Sequence, residues 1–192
     1  MTELKTETAL EAWEKAHPGQ KPGEIVIPDD VRVAVEASNN TVTPAQVKVL
    51  KDTICAKFTY SQLQLYLAIC ARKGVDPFTE AYGFPNAEGG LAFGLRIDGM
   101  RALAMRTGEY LSRTVETLFD GEKKMIGAKA TVQRKGMTAP VVEEAYFQEY
   151  DRNQFLWVTH KETMIRKVAE SKALRAAFPD ALAGIYEPAE ME

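Results

Sequence analysis

The stretch Met164–Tyr186, MIRKVAESKALRAAFPDALAGIY, decides how this chain is read. Wound as a helix at about 100° per residue, it sets Met164, Val168, Leu174 and Phe178 on one broad arc. Lys172 and Arg175 fall inside or at the edge of that arc, beside Val168 and Ile165, while Arg166, Lys167 and Glu170 point elsewhere. An ordinary core helix carries leucine at such places. Two readings follow. Either the two cations lay their methylene stems on apolar surface and snorkel to water, or they form the semi-buried basic wall of a groove that holds a polyanion backbone. Partial burial would then strengthen their field and fix their positions.

Working outward, the period changes to two from Tyr110 onward. Segments Tyr110–Phe119, Met125–Lys135 and Ala139–Glu149 are separated by Asp120-Gly121 and Gly136, which predicts an antiparallel meander. In its middle strand Ala128, Ala130 and Val132 alternate with Lys129, Thr131 and Gln133, so one face is buried and Lys129 lies on the other. Upstream, Ala81–Pro85 and Leu91–Leu95 around the Asn86–Gly90 loop read as a hairpin. Thr43-Pro44 reads as a helix N-cap and first-turn proline. Thr59 caps a second helix with Leu63, Tyr66, Leu67 and Cys70 on its core face, ended by Gly74. Asp98 is the expected N-cap of a helix over Gly99–Arg106, with Gly108 just past its end. The fold class is therefore α+β, with antiparallel hairpins and a meander packed against helices and closed by a long basic C-terminal helix. Residues 1–42 read as a mobile or peripheral arm, with a short helix around Thr8–Lys15, and residues 43–192 as one domain.

At 192 residues, 45% hydrophobic and 27% charged, the chain has the composition of one ordinary globular domain. Its N-terminus, MTELKTETALEAWEK, lacks the apolar core of a secretory signal, and no run of 18 apolar residues could cross a membrane. Cys55 and Cys70 sit in apolar patterns as small hydrophobes, which fits a reducing cytoplasm. The net charge of −3 is carried by residues 1–50, with 5 Lys/Arg and 8 Asp/Glu; residues 51–192 hold 19 of each. Within them Arg96–Lys135 has 9 basic and 5 acidic residues, and Lys161–Arg175 has 5 and 2. Such clusters can build a cationic strip on a neutral protein.

Several chemistries are excluded by what the chain lacks. Without GxxxxGK[ST] there is no P-loop for a triphosphate, and HExxH, GxSxG and CxxC are missing too. Two histidines, His17 and His160, leave little for a metal site or triad. Gly89-Gly90-Leu91-Ala92-Phe93-Gly94 has the wrong spacing for a dinucleotide fingerprint and reads as a hairpin turn. A metal-dependent nuclease needs clustered carboxylates; Glu143, Glu144, Glu149 and Asp151 are near in sequence, yet alternation puts Glu144 on a different strand face from Glu143 and Glu149. No catalytic residue, cofactor or metal is expected. Binding a single DNA strand instead needs a cationic track and planar groups. Candidates for the track are Lys172 and Arg175 first, then Arg166, Lys167, Lys161, Lys129, Arg134, Lys135, Arg101 and Arg106; Trp157 is either a stacking platform or a core anchor.

A resemblance appears at the same places. Trp157, Met164–Glu170, Ala173–Pro179 and Gly184-Ile185-Tyr186, preceded by Gly74–Phe78, Ile97–Arg101 and Arg106–Tyr110, resemble in order the blocks of the RecT/Bet (Redβ-like) family of phage single-strand annealing proteins, over roughly Thr43 to Tyr186. The resemblance implies binding of single-stranded DNA and of the annealed duplex intermediate, ATP-independent pairing of complementary strands in phage-type homologous recombination, a bacterial host cytoplasm, and assembly into rings or helical filaments. Three departures stand out: Lys161 replaces the proline usual after the tryptophan, the acidic pair after Gly-Ile-Tyr is reduced to Ala189-Glu190, and relatives continue past the position of Glu192. That further region is linked to exonuclease and host single-strand-binding-protein partners, so the chain reads as a candidate truncation. The competing expectations are a metal-dependent DNA-processing nuclease and a non-catalytic assembly protein.

Overall fold

The computed structural model describes residues 27–86, 88–151 and 156–191. The short helix expected around Thr8–Lys15 lies outside them. The first described helix, α1 (Asp29–Ala37), falls where the sequence reading has only a peripheral arm. Two aspartates open its first turn, where the helix dipole favours them, and its Val31 and Ala34 are buried. Its valines are stiff β-branched residues that weaken the helical signal. Packing overrides that preference, because α1 lies against both α2 (Pro44–Asp52) and α3 (Tyr60–Lys73).

Both of these helices start with a reciprocal cap: Thr43 with Gln46, and Thr59 with Gln62. Gln62 also donates its side-chain amide to the carbonyls of Gly89 and Gly90, at 2.9 and 3.0 Å, which ties α3 to the hairpin loop. Helix α3 ends as expected at Gly74, in the left-handed region at φ 64°. Burial pushes the thiols of Cys55 and Cys70 up to about 11 and about 12, so both are neutral core groups at physiological pH.

Strands β1 (Ala81–Pro85) and β2 (Leu91–Leu95) form the expected hairpin. Helix α4 (Ile97–Arg106) follows directly. It begins before Asp98, with Arg96 at the cap position, so Asp98 is a first-turn residue and does not cap the helix. The meander is β3 (Tyr110–Phe119), β4 (Met125–Arg134) and β5 (Val141–Tyr146), in sheet order β3-β4-β5. Its last strand is shorter than expected: the chain turns into α5 (Phe147–Tyr150), which takes Glu149 out of the sheet. The register sets Arg113, Val115 and Thr117 opposite Val132, Ala130 and Ala128, and the last two opposite Glu143 and Ala145, all on one face.

That face is covered by α7 (Lys161–Ala177), reached through α6 (Leu156–Thr159). Buried positions recur around most of α7, because the sheet lies on one side and α4 and α9 (Pro188–Met191) on the others. Glu170 is among these buried residues, contrary to its expected place off the core arc. The helix does not run to Tyr186. Pro179 disfavours helical backbone at Phe178, which sits at φ −128° and ψ 58°, and α8 (Pro179–Leu182) starts a new direction. The chain then returns to the first sheet, where Leu95 N–H donates to the Tyr186 carbonyl at 3.1 Å. Trp157 is fully buried, edge-on to Phe147 at 6.4 Å, and serves the core. Among the described residues no helix is long and apolar enough to cross a membrane.

One close approach is testable. At Gly127, a Cβ would collide with the carbonyl oxygen of Ala145 on β5. Backbone cannot yield as a side chain does, so Gly127→Ala should lower stability by about 1–3 kcal/mol, seen as an earlier midpoint in urea unfolding.

Candidate nucleic-acid interface

A groove of about 670 Å³ opens where α4, β3, α7 and the segment before α9 meet. Helical spacing builds one wall: Glu162, Arg166 and Glu170 follow each other at four-residue steps along α7, with Lys167 beside them. Helix α4 adds Asp98 and Arg101, β3 adds Arg113 and Val115, and Arg96, Glu187, Pro188 and Ala189 also line it.

Glu170 anchors this arrangement. Its side chain is only 3% exposed, and Arg101 grips it with two parallel bonds, Nε to Oε1 and Nη2 to Oε2, each 2.6 Å. Arg113 approaches the same carboxylate, Nε to Oε1 at 3.1 Å. Hydrogen bonding to Glu170 is the main cause that raises the Arg101 guanidinium above its usual value. One buried carboxylate thus holds two guanidiniums from two other elements at the groove. Arg101 keeps Nη1 for Asp98, at 2.6 Å. Arg166 donates to Thr117 Oγ1 at 3.2 Å and stands 3.8 Å from Glu162, and Lys167 stands 3.9 Å from Glu187. Five cations face four carboxylates along the lining, leaving a net charge of +1.

A sequence model of the RecT family matches residues 40–192. The chain belongs to the RecT family. Its members act in DNA recombination by annealing single strands, and the match spans the blocks from Gly74 to Tyr186. A comparison with curated proteins returned no match.

In this RecT-family protein the sequence-derived site residues divide sharply. Arg101, Arg166 and Lys167 line the groove. Lys172 and Arg175, the first choices, do not. Lys172 Nζ donates to the Glu144 carbonyl at 2.6 Å and stands 3.6 Å from Glu143. Arg175 grips Glu190 with two 2.6 Å bonds and lies 4.8 Å over the Tyr186 ring. Cations at such semi-buried positions need fixed partners to offset lost hydration, and here those partners clamp β5 and the C-terminal segment onto α7. The two described acids after Gly-Ile-Tyr are engaged this way: Glu187 faces Lys167, and Glu190 takes Arg175 and the Ser171 hydroxyl at 2.7 Å.

Among the remaining candidates, Arg134, Arg106 and Lys161 are likewise tied to the fold. Arg134 binds Glu109 and donates to the Ala177 carbonyl at 2.9 Å, closing the end of α7. Arg106 holds Glu80 and the Gly74 carbonyl, and Lys161 meets Asp151 at 2.5 Å at the start of α7. Lys129 lies on the sheet face away from α7, 3.7 Å from Glu116, and Lys135 is exposed in the turn after β4. The acidic stretch is dispersed as well: Glu143 faces Lys172, Glu144 accepts from the Tyr146 hydroxyl, and Asp151 meets Lys161. Among the described residues no group of three or more His, Cys, Asp or Glu is placed to hold a metal ion.

Glu170, Arg113 and Arg96 escape the sequence reading. Strand alternation alone could find Arg113, since it shares a face with Val115 and Thr117. For Glu170 the only signal is a carboxylate within a cationic helix. Removing it leaves Arg101 and Arg113 without their anchor, so Glu170→Ala should cost about 3–5 kcal/mol, measured by thermal unfolding. Arg175→Ala should act locally: exchange of the Leu95 amide, which depends on Tyr186 staying in place, should accelerate.

Proposed function

We propose that this protein holds one DNA strand by its phosphates in the groove and lets a complementary strand pair with the bases left outside, without nucleotide hydrolysis. The observation that carries this reading is the set of guanidinium and ammonium groups that α4, β3 and α7 bring to one groove, two of them positioned by Glu170. Guanidinium forks suit phosphate oxygens. The apolar part of the described lining is Ile97, Val115, Leu156, Met164, Pro188 and Ala189, with no aromatic ring for bases to stack on. A site of that kind grips backbone and leaves Watson–Crick edges available. Neutralising one backbone lowers the repulsion between strands, and base stacking at about 1.4 kcal/mol per step supplies the driving force. The lack of a P-loop in the sequence fits such a mechanism. Head-to-tail assembly into rings or filaments would join neighbouring grooves into one track.

Arg166 and Lys167 are partly exposed groove residues whose removal should spare the fold. Complementary oligonucleotides are mixed with the wild-type chain and with the Arg166→Ala/Lys167→Ala double variant, in EDTA and without ATP. The wild type should anneal them. The double variant should bind more weakly, with a log–log salt slope shallower by about 0.7 for each phosphate it no longer neutralises, and anneal more slowly at native circular dichroism. Unchanged annealing by the double variant would remove the groove from the mechanism. Degradation of the DNA only when magnesium is supplied would point to a nuclease.

A further inference from the structure

We propose that the carboxylates of Asp98 and Glu162 occupy two phosphate positions in the groove, so that a DNA strand binds by exchange, its phosphates replacing them on Arg101 and Arg166. This rests on the DNA reading of the groove and adds where two phosphates sit and what they displace.

The four groove carboxylates are of two kinds. Glu170 and Glu187 are buried, each with 3% of its side chain exposed, and both are held in place, Glu170 by two guanidiniums and Glu187 by the Ala189 N–H at 2.6 Å. Asp98 and Glu162 are 81% and 56% exposed and can swing into water. Each stands against a groove cation, Asp98 against Arg101 and Glu162 against Arg166. Arg101 is locked by Nε and Nη2 on Glu170, so its Nη1 has a fixed direction, and the Asp98 oxygen stands there at 2.6 Å. Glu162 Oε1 accepts the Thr117 hydroxyl at 2.6 Å and lies 3.8 Å from Arg166 Nη1, which itself reaches Thr117 at 3.2 Å. Carboxylate and phosphate present similar paired anionic oxygens to a guanidinium. Each acid therefore offsets the charge of its arginine before DNA enters and yields to an anion that brings further contacts along the strand. The displaced acids stay at the rim beside the DNA, which holds affinity below what five cations alone would give.

The opposite sign of effect separates this from a structural role. Binding of a fluorescent single-stranded oligonucleotide is titrated by anisotropy at several salt concentrations for the wild type, Asp98→Asn, Glu162→Gln, their combination, and Glu36→Gln. Glu36 is the control, an exposed acid paired with Arg32 on α1, remote from the groove lining. Each groove substitution should tighten binding by about two- to fivefold, the fold-change that matches removal of one exposed competing ion pair. The combination should tighten it further and steepen the salt dependence, while Glu36→Gln binds like the wild type. Groove variants that bind no tighter than a binding-competent wild type overturn the exchange, as does equal tightening by Glu36→Gln, which would make the effect one of overall charge. A wild-type chain that binds no oligonucleotide overturns both the exchange and the DNA reading.

Discussion

The site depends on a single buried carboxylate. Glu170 sits inside a helix packed on three sides, and the cost of removing its charge from water is offset only because Arg101 and Arg113 reach it from α4 and β3. This one ionic contact joins the closing helix, the edge strand of the meander and the helix after the hairpin. It also fixes the direction in which two guanidiniums face the groove. Fold stability and the geometry of the groove thus share one constraint, and neither can be altered at Glu170 without the other.

The closing helix α7 distributes its cations by the carboxylates that surround it. Towards β5 and the C-terminal segment, Lys172 and Arg175 meet Glu143 and Glu190 and act as clamps. Towards the groove, Arg166 and Lys167 have looser contacts, at 3.8 and 3.9 Å, with Glu162 and Glu187. The 2.6 Å bonds of Lys172 to the Glu144 carbonyl and of Arg175 to Glu190 hold those side chains in place, whereas an exposed pair such as Arg166 and Glu162 at 3.8 Å is weak. The same basic helix therefore supplies mechanical closure on one side and a partly exposed charged surface on the other. The net charge of −3 belongs to the whole chain, whereas the groove lining carries +1.

A groove of cations without aromatic rings in its described lining also shapes the kind of recognition available. Contacts to phosphate carry position but no base sequence. A protein that must pair any two complementary strands gains from that indifference, because bases gripped by stacking would be withheld from the second strand.

Local structure is largely legible in the sequence, because it is set by neighbours along the chain. The threonine caps at Thr43 and Thr59, the left-handed Gly74, the alternation of Ala128, Ala130 and Val132, and the limits of β3 are all written in short-range patterns. The family blocks are legible for the same reason, and they place Arg101, Arg166 and Lys167 among the candidates. Helix α1 and the break at Phe178 are not, since burial overrides the weak propensity of valine in one case and Pro179 interrupts an apolar period in the other. What tertiary structure alone decides is which cations stay available. Arg101 meets Glu170 across 69 positions, while Lys172 and Arg175 find partners on β5 and beyond the end of α7. A helical wheel records which way a side chain leaves its own axis. It holds no record of the charge that another element brings to meet it, and the energy of an ion in a dry interior is set by that partner.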